Sequence, residues 1–493
     1  MSELGAMTEA WLDPLVWLIV LPMAWASLAF LLGPGRGGRL AVAALAVQCL
    51  LALSLAAGLP GGGARAHAVG GWGAPLGIDL LADGLSVSML LLIQAVALPI
   101  AVYARAYFAD AAHRAEGAWF WPLTGFLLAA MNALFLSADL FNLYVTLELL
   151  GLAAVGLVAV GGGAAQIAAA LRYLLVSLVA SGAYLMGVAL IYGAYGTVSI
   201  ATLAPLIGAD PPLALWLAAG LMAFGLMAKT ALFPFHFWLP PAHGGAPAPV
   251  SALLSALVVK ASFYLVLRLW LGPFAPLAEM AHGWADRLVG GLGAAAILWG
   301  SWQALRTHHI KRLVAWSTVA QLGYLFLIFP LLAPDGAALQ AGVMQAYAHG
   351  LAKAAMFTAT GVLIMATGRD TLDGLAGAAG RLPVTLFAFG LAGVTLMGLP
   401  PSGGFLAKWL LIEAAIAQGQ WLWVGVVIGG GLLAAAYVFR VLRQAFLQAP
   451  ESTRFHAVPR SMEWVAFGLA AASVLLGLRG VELMNLLAVG SAP

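Results

Sequence analysis

Charge is scarce in this chain: only 8% of its 493 residues are Asp, Glu, Lys or Arg, against roughly a quarter in a soluble domain. Water is therefore not its main solvent. The single cysteine, Cys49, lies inside an apolar run, which excludes an intrachain disulfide and any cysteine-built metal cluster. There is no G-x-x-x-x-G-K-[ST] loop, no nucleotide fold and no cluster motif, so neither ATP nor redox chemistry can be located here and no cofactor is expected. A hydrolase lacks support as well, because no G-x-S-x-G elbow occurs and Ser402 falls in a Pro/Gly break. The formal net charge of +3 does not point to nucleic acid, because the cations form no basic stripe. No basic stretch precedes the first apolar run, which follows Trp11-Leu12-Asp13-Pro14, so it is expected as a first helix and not a cleaved signal.

Hydrophobic residues make up 63% of the chain. They recur in runs of ~20, the length that crosses ~30 Å of hydrocarbon. Spans are expected near 14–34, 39–59, 81–104, 118–136, 140–160, 166–193, 212–233, 247–270, 287–305, 310–333, 341–367, 383–420 with a break, 421–444 and 464–478. The fold class is thus an all-α polytopic membrane protein of about fourteen transmembrane helices. Arg36, Arg39, Arg105, Arg114, Arg306, Lys311, Arg312, Arg369, Arg381, Arg440, Arg443, Arg454 and Arg460 crowd one set of loops; the other holds chiefly Arg65, Arg268 and Arg287. The positive-inside rule makes the crowded loops cytoplasmic and both termini external, in a bacterial inner membrane. Residues 59–77 are too rich in glycine to span and are expected as an external loop or short hairpin. Trp119, Trp121 and Trp270 read as interfacial anchors.

Two spans are interrupted. The seventh runs through Pro234 and Pro240, and the twelfth through Pro400, Pro401, Ser402 and Gly403. Lys229 lies beside the first break and Lys408 beside the second. Paired broken helices mark internally repeated transporters, whose freed backbone groups are tolerated where they line a cavity. At one offset Tyr173 also falls on Tyr347, and Gly187-Val188 on Gly361-Val362. Three N-terminal helices (1–117), a first five-helix repeat (118–270), a second (287–444) and a last helix (445–493) are expected.

Within these spans sit Glu148, Lys229, Lys260, His349, Lys353 and Lys408. Each charge costs roughly 2.5–3.5 kcal/mol to insert, so it needs a partner, water or a function. Taken singly, a lysine could snorkel to an interface or lock two helices as an ion pair. Counting disfavours that for the set. Glu148 can neutralise one lysine, and Glu413 is the only other candidate acid in these spans. A buried lysine without a counter-ion readily gives up its proton, which suits a relay. His349 and Lys353, at i and i+4, share a helix face, and histidine can bridge two lysines. His236 and His243 flank the first break; a metal site is disfavoured because no carboxylate lies nearby in sequence, leaving two roles open, capping freed carbonyls or lining a water path.

The segment from Lys229 through His236, Pro240, His243, Pro247 and Pro249 to Ser255 resembles the signature of the antiporter-like subunits of respiratory complex I and its relatives. Further matches are His309 to Tyr324, His349-Gly-Leu-Ala-Lys353 and Leu399 to Lys408, together covering about residues 80–445. The resemblance implies that Glu148 and Lys229 interact, that Lys260 is a relay, that His349 with Lys353 is the central link and that Lys408 is the terminal site. It also implies sister membrane subunits as partners, with H+ and Na+ as cargo. The chain departs at Gln345, where relatives often have histidine; an amide can hold water but cannot carry the proton. Residues 70–92, and a lysine at 408, are similar to the D-type member of the Mrp multisubunit cation/proton antiporter, while LYVTLELLGLAAVGLVAV is also similar to membrane-bound hydrogenase subunits. The expectation is a proton-translocating subunit of a multisubunit Na+/H+ antiporter. The alternatives are a pumping subunit of complex I or a hydrogenase, and a scaffold whose lysines are dispensable.

Overall fold

A computed structural model describes residues 13–281, 283–449 and 454–490; Trp11 and Leu12, ahead of the first expected span, lie outside them. The chain is a bundle of long apolar helices. The first, α1 (Pro14–Gly62), has 49 residues and a non-helical Gly33 at φ 74°. At 1.5 Å per residue it is more than twice as long as a bilayer core is thick, so Gly33 divides it into the first two expected spans. Strands β1 (Arg65–Ala68) and β2 (Asp79–Ala82) then pair antiparallel as the short hairpin. The helices α2 (Gly84–Tyr107), α3 (Arg114–Leu136), α4 (Leu140–Ala159), α5 (Ala164–Tyr195) and α6 (Leu213–Thr230) follow. Next come α7 (Leu239–Gly245), α8 (Ala248–Leu253), α9 (Val259–Leu271), α10 (Trp284–Arg306), α11 (Ile310–Phe326) and α12 (Ala337–Thr367). The last are α13 (Pro383–Met397), α14 (Gly403–Ala417), α15 (Trp421–Phe446), α16 (Arg460–Leu475) and α17 (Gly480–Leu487).

Among the described residues, 11 helices are long and apolar enough to span, or up to 13 if each bent pair counts as one span. Dividing α1 at Gly33 adds one more, which reaches the expected number. The last span ends differently from expectation. After α16 the chain bends by 69° into α17, where the backbone N–H of Gly84 donates to Val489 O at 2.8 Å and ties this end to the start of α2.

The bundle has an inner and an outer layer. The most apolar stretches of Ala248–Leu271, Ile310–Leu331 and Ala337–Thr367 are 100%, 94% and 83% buried, whereas those of α1 and α15 are only 33% buried. The outer helices present Leu31, Leu175, Val179, Leu432 and Phe446 outward, as a lipid solvent demands. Lipid offers no hydrophobic drive for helix pairing, so close approach matters. Where α10 crosses α11, a Cβ at Gly300 would meet the backbone N of Ala320 at 2.5 Å.

Both expected breaks are present, with one backbone design. Ala231 (φ 60°) ends α6 and Gly398 (φ 81°) ends α13, each in the left-handed region. In the first, Leu232 N donates to Met227 O and Phe235 N to Leu232 O; in the second, Leu399 N donates to Val394 O and Ser402 N to Leu399 O. Pro234 aligns with Pro401 at the same offset, a shorter one than relates Tyr173 to Tyr347. That offset lays Lys229 on Leu396 and Lys408 on Pro241, so the two lysines stand on opposite sides of their breaks.

Candidate functional site

Lys229 sits in the last turn of α6, 7% exposed, and its ammonium is surrounded by acceptors. Nζ donates to Glu148 Oε1 of α4 at 3.0 Å, to Ser177 Oγ of α5 at 2.9 Å and to Leu147 O at 3.3 Å. Ser181 Oγ donates to the same Glu148 oxygen. Gly151 makes room for this group, since a Cβ there would lie 2.7 Å from Ser177 Oγ and 3.3 Å from Lys229 Nζ. The freed carbonyls at the break go to other donors: Trp238 Nε1 donates to Ala228 O at 3.0 Å, and Ser251 Oγ to His243 O at 2.8 Å. Pro240 stands in the first turn of α7, where its missing N–H costs nothing. Of the two roles left open for the histidines, capping therefore belongs to Trp238 and Ser251. His236 is packed between Phe233 and Trp316, His243 lies on Phe357, and Nδ1 of each ring is buried without a hydrogen-bond partner.

A second group lies on the inner helices. Between α8 and α9 the chain makes a π-helical turn over Leu254–Val258, and the Lys260 ammonium donates to the Ser255 carbonyl. Such a turn withdraws a carbonyl from the regular ladder and leaves it for another donor. Lys353 Nζ donates to Val314 O at 3.0 Å and to Ser317 Oγ, both on α11. His349, one turn from Lys353, is within electrostatic reach of Lys260 and Lys353, and both its ring nitrogens are buried without a partner. Among the described residues, no hydrogen bond or ion pair joins this group directly to that of Lys229.

The third group surrounds the second break. Ser402 caps α14 by accepting from Phe405 N at 3.1 Å; Pro400 and Pro401 form the turn before it, and Gly403 lies against Leu476. Lys408 Nζ reaches back across the break to Leu396 O at 2.6 Å and Met397 O at 3.1 Å, and stands 4.4 Å from the ring centre of Tyr324. Gln345 Nε2 donates to Gln321 Oε1 at 3.2 Å, and Gln321 Nε2 donates in turn to Leu396 O at 3.2 Å. The two lysine-bearing regions of α12 and α14 are thereby linked through α11. Glu413, expected as a supporting acid, is exposed on α14, five residues beyond Lys408 and so turned away from it around the helix. Ser177, Ser181, Ser317, Gln321 and Tyr437 do not stand out in the sequence, although Ser177 with Ser181 and Ser317 with Gln321 each have the i, i+4 spacing of one face.

At one face of the bundle is a cavity of about 380 Å³, lined by Tyr107, Asp110, His113, Lys311 and His456. His113 Nδ1 lies 3.1 Å from Glu116, and that carboxylate pushes the imidazole above its ordinary value near 6.5. The Lys311 side chain donates to the carbonyl of Ala246, at the end of α7, and is within electrostatic reach of His243. No group of three His, Cys, Asp or Glu side chains fit to hold a metal occurs among the described residues.

Fold and site define a polytopic membrane protein whose inner helices carry lysines in their middle. Residues 137–434 match the family described as NADH:quinone oxidoreductase/Mrp antiporter, TM, and the chain belongs to that family. It is 35% identical to the N subunit of the NADH-quinone oxidoreductase of Desulforudis audaxviator, over 95% of this chain and 96% of that one. It is 28% identical to the D subunit of the Na(+)/H(+) antiporter of Bacillus subtilis, over 84% and 83%. Among solved structures it matches a chain of the Mrp complex of a Dietzia species with a TM-score of 0.87 and 26% identity, over 97% of each chain. A chain of an archaeal membrane-bound sulfane sulfur reductase also gives 0.87 and 26%, over 96% of each. It is an antiporter-like, proton-translocating subunit.

Proposed function

We propose that this chain is the D-type member of a multisubunit cation/proton antiporter, with Glu148, Lys229, Lys260, His349, Lys353 and Lys408 as its proton relay. One observation carries this reading. Among the described residues, of the four buried lysines only Lys229 has a carboxylate within 4.0 Å, whereas Lys260, Lys353 and Lys408 are buried on carbonyls, a hydroxyl and an aromatic ring. Burying four ammonium groups costs on the order of 10 kcal/mol. Helix locking would recover that with acids; carriers of a mobile proton must not be so tightly neutralised.

In this reading the relay runs from Lys229 through Lys260, His349 and Lys353 to Lys408, with Gln345 holding the amide network beside it. The chain divides into helices 1–117, repeats over 118–270 and 287–444, and a last segment 445–493. The cavity at His113 opens to the cytoplasm, both termini lie outside, and sister subunits supply the rest of the cation path, Na+ being the cargo of the Bacillus relative's name. The likeness to the Desulforudis protein at 35% identity supports a second reading, a pumping subunit of a redox complex whose electron carriers are on other chains. Purification with native partners separates the two: small antiporter subunits support the first, flavin or nickel-iron proteins the second. In vesicles containing the assembled complex, Lys353→Ala should abolish proton movement driven by a cation gradient; retained exchange at normal assembly would exclude the relay.

A further inference from the structure

Between Lys353 and Lys408 the relay has to cross the layer where α11, α12, α13 and α15 meet. The side chains in that layer are Ser317, Gln321, Gln345 and Tyr437. The two glutamine amides are held in place by their bonds to each other and to Leu396 O, and an amide does not exchange a proton near neutral pH. Only a hydroxyl can accept one proton while giving up another. Ser317 Oγ accepts from Lys353 Nζ and donates to Val314 O at 2.9 Å, and the Tyr437 hydroxyl accepts from Gln321 Nε2 at 3.4 Å with the Ser317 hydroxyl within reach beside it. Tyr437 is fully buried on α15, the same helix that passes Lys408 at Gly431. The Leu396 carbonyl accepts from Gln321 and from Lys408 alike, so the amide that touches Tyr437 and the terminal ammonium share one anchor.

Resting on the relay proposed above, we infer that Tyr437 carries the proton between Lys353 and Lys408. The Lys353 ammonium gives one Nζ proton to Ser317 Oγ as the Ser317 hydroxyl turns from Val314 O and its proton passes to Tyr437 Oη. The Tyr437 proton then leaves, through one bridging water, to the free amine of Lys408. Each oxygen gains one proton and loses one, Lys353 ends neutral, Lys408 ends as ammonium, and no electrons move. Gln321 is a positioning residue: its Nε2 holds Tyr437 Oη as acceptor, which leaves the O–H free to turn between Ser317 and the Lys408 side. Ser317, Gln321 and Tyr324, all from α11, face Tyr437.

The test uses the whole complex in vesicles, with Tyr437→Phe, which removes one oxygen and keeps the shape. Proton-coupled exchange should fall roughly tenfold or more at normal assembly. Ser317→Ala in the Tyr437→Phe background should add little, because both lie on one path. Difluorotyrosine at 437 keeps the hydroxyl while making it more acidic, and should change both the rate and the pH profile. Exchange by Tyr437→Phe within about twofold of wild type would overturn the assignment, provided Lys229→Ala and Lys408→Ala are inactive. Should those two lysine variants remain active, the relay itself falls and Tyr437 with it. If the phenylalanine variant assembles poorly, an unchanged rate and profile with difluorotyrosine overturns the assignment.

Discussion

The two helix breaks share a backbone and differ in how they hold a cation. At the first, Lys229 comes from the helix before the break and meets a carboxylate at 3.0 Å, with two serine hydroxyls around the pair. At the second, Lys408 comes from the helix after the break and finds only the carbonyls of Leu396 and Met397 and the face of Tyr324. Leu396 occupies the place that corresponds to Lys229, so the two ammonium groups arrive at equivalent points from opposite directions. A carboxylate at that distance attracts an ammonium by on the order of 5 kcal/mol at an effective dielectric of 20. Hydrogen bonds from a charged donor to carbonyls net about 1.5–3 kcal/mol each. In the proposed relay one break would lock its proton by holding the acid close. The other has, among the described residues, no acid within 4.0 Å of its lysine and would suit release.

Several substitutions break or sharpen that contrast. The largest effect belongs to Lys229→Ala, which should lower proton-coupled exchange by roughly 100-fold or more while insertion and assembly stay normal. Measurement in vesicles containing equal amounts of complex decides it. Lys408→Ala should leave proton uptake intact and abolish release, a split that single-turnover uptake against steady-state flux can read. Equal loss of both would make the two sites alike. Glu148→Gln removes the lock and should slow turnover about tenfold, Glu148→Asp less so; wild-type rates with Glu148→Gln across pH would contradict the pairing. Gly151→Ala crowds Ser177 and Lys229 without touching a charge, and a loss of only a few-fold is expected; Gly431→Ala, whose Cβ would meet Met397 O, an acceptor of Lys408, at 2.9 Å, should cost about as much at the second break.

The smallest effect lies outside both breaks. His113 has its protonated form favoured by Glu116, so the pair's contribution to stability is fully present below pH 6.5 and is lost as pH rises through the raised value. Thermal unfolding of the detergent-solubilised complex should show that dependence in wild type and not in His113→Gln, with exchange rates little changed.

Much of this is legible in the sequence because membrane insertion leaves few options. Lysines are costly there, so Lys229, Lys260, Lys353 and Lys408 stand out at once, and proline with glycine marks both breaks. The family resemblance implies the pairing of Glu148 with Lys229, and the structure brings those two side chains together. What cannot be read is how the other lysines are satisfied. The π-helical turn at Leu254–Val258 arises in an apolar stretch with no glycine or proline to announce it, and its consequence for Lys260 depends on a backbone carbonyl that has no residue type. Gln321 and Tyr437 reach each other from helices far apart in sequence. Nor does nearness along the chain show that helix rotation turns Glu413 outward from Lys408.

Helix α12 has neighbours on nearly every side, among them α11, α13, α14 and α16. A 31-residue rod so enclosed has no soft boundary along which to tilt or turn. In the proposed relay its His349 and Lys353 would therefore answer a passing charge by swinging side chains alone, within ångströms and on fast timescales. Larger movements fall to the rim, where α4 and α5 have faces turned to lipid, whose tails yield easily. In the proposed relay this makes a stiff axle with a compliant edge: strain from a neighbouring protein would separate Glu148 from Lys229 at the edge, and the electrostatic consequence would reach the interior without moving its helices.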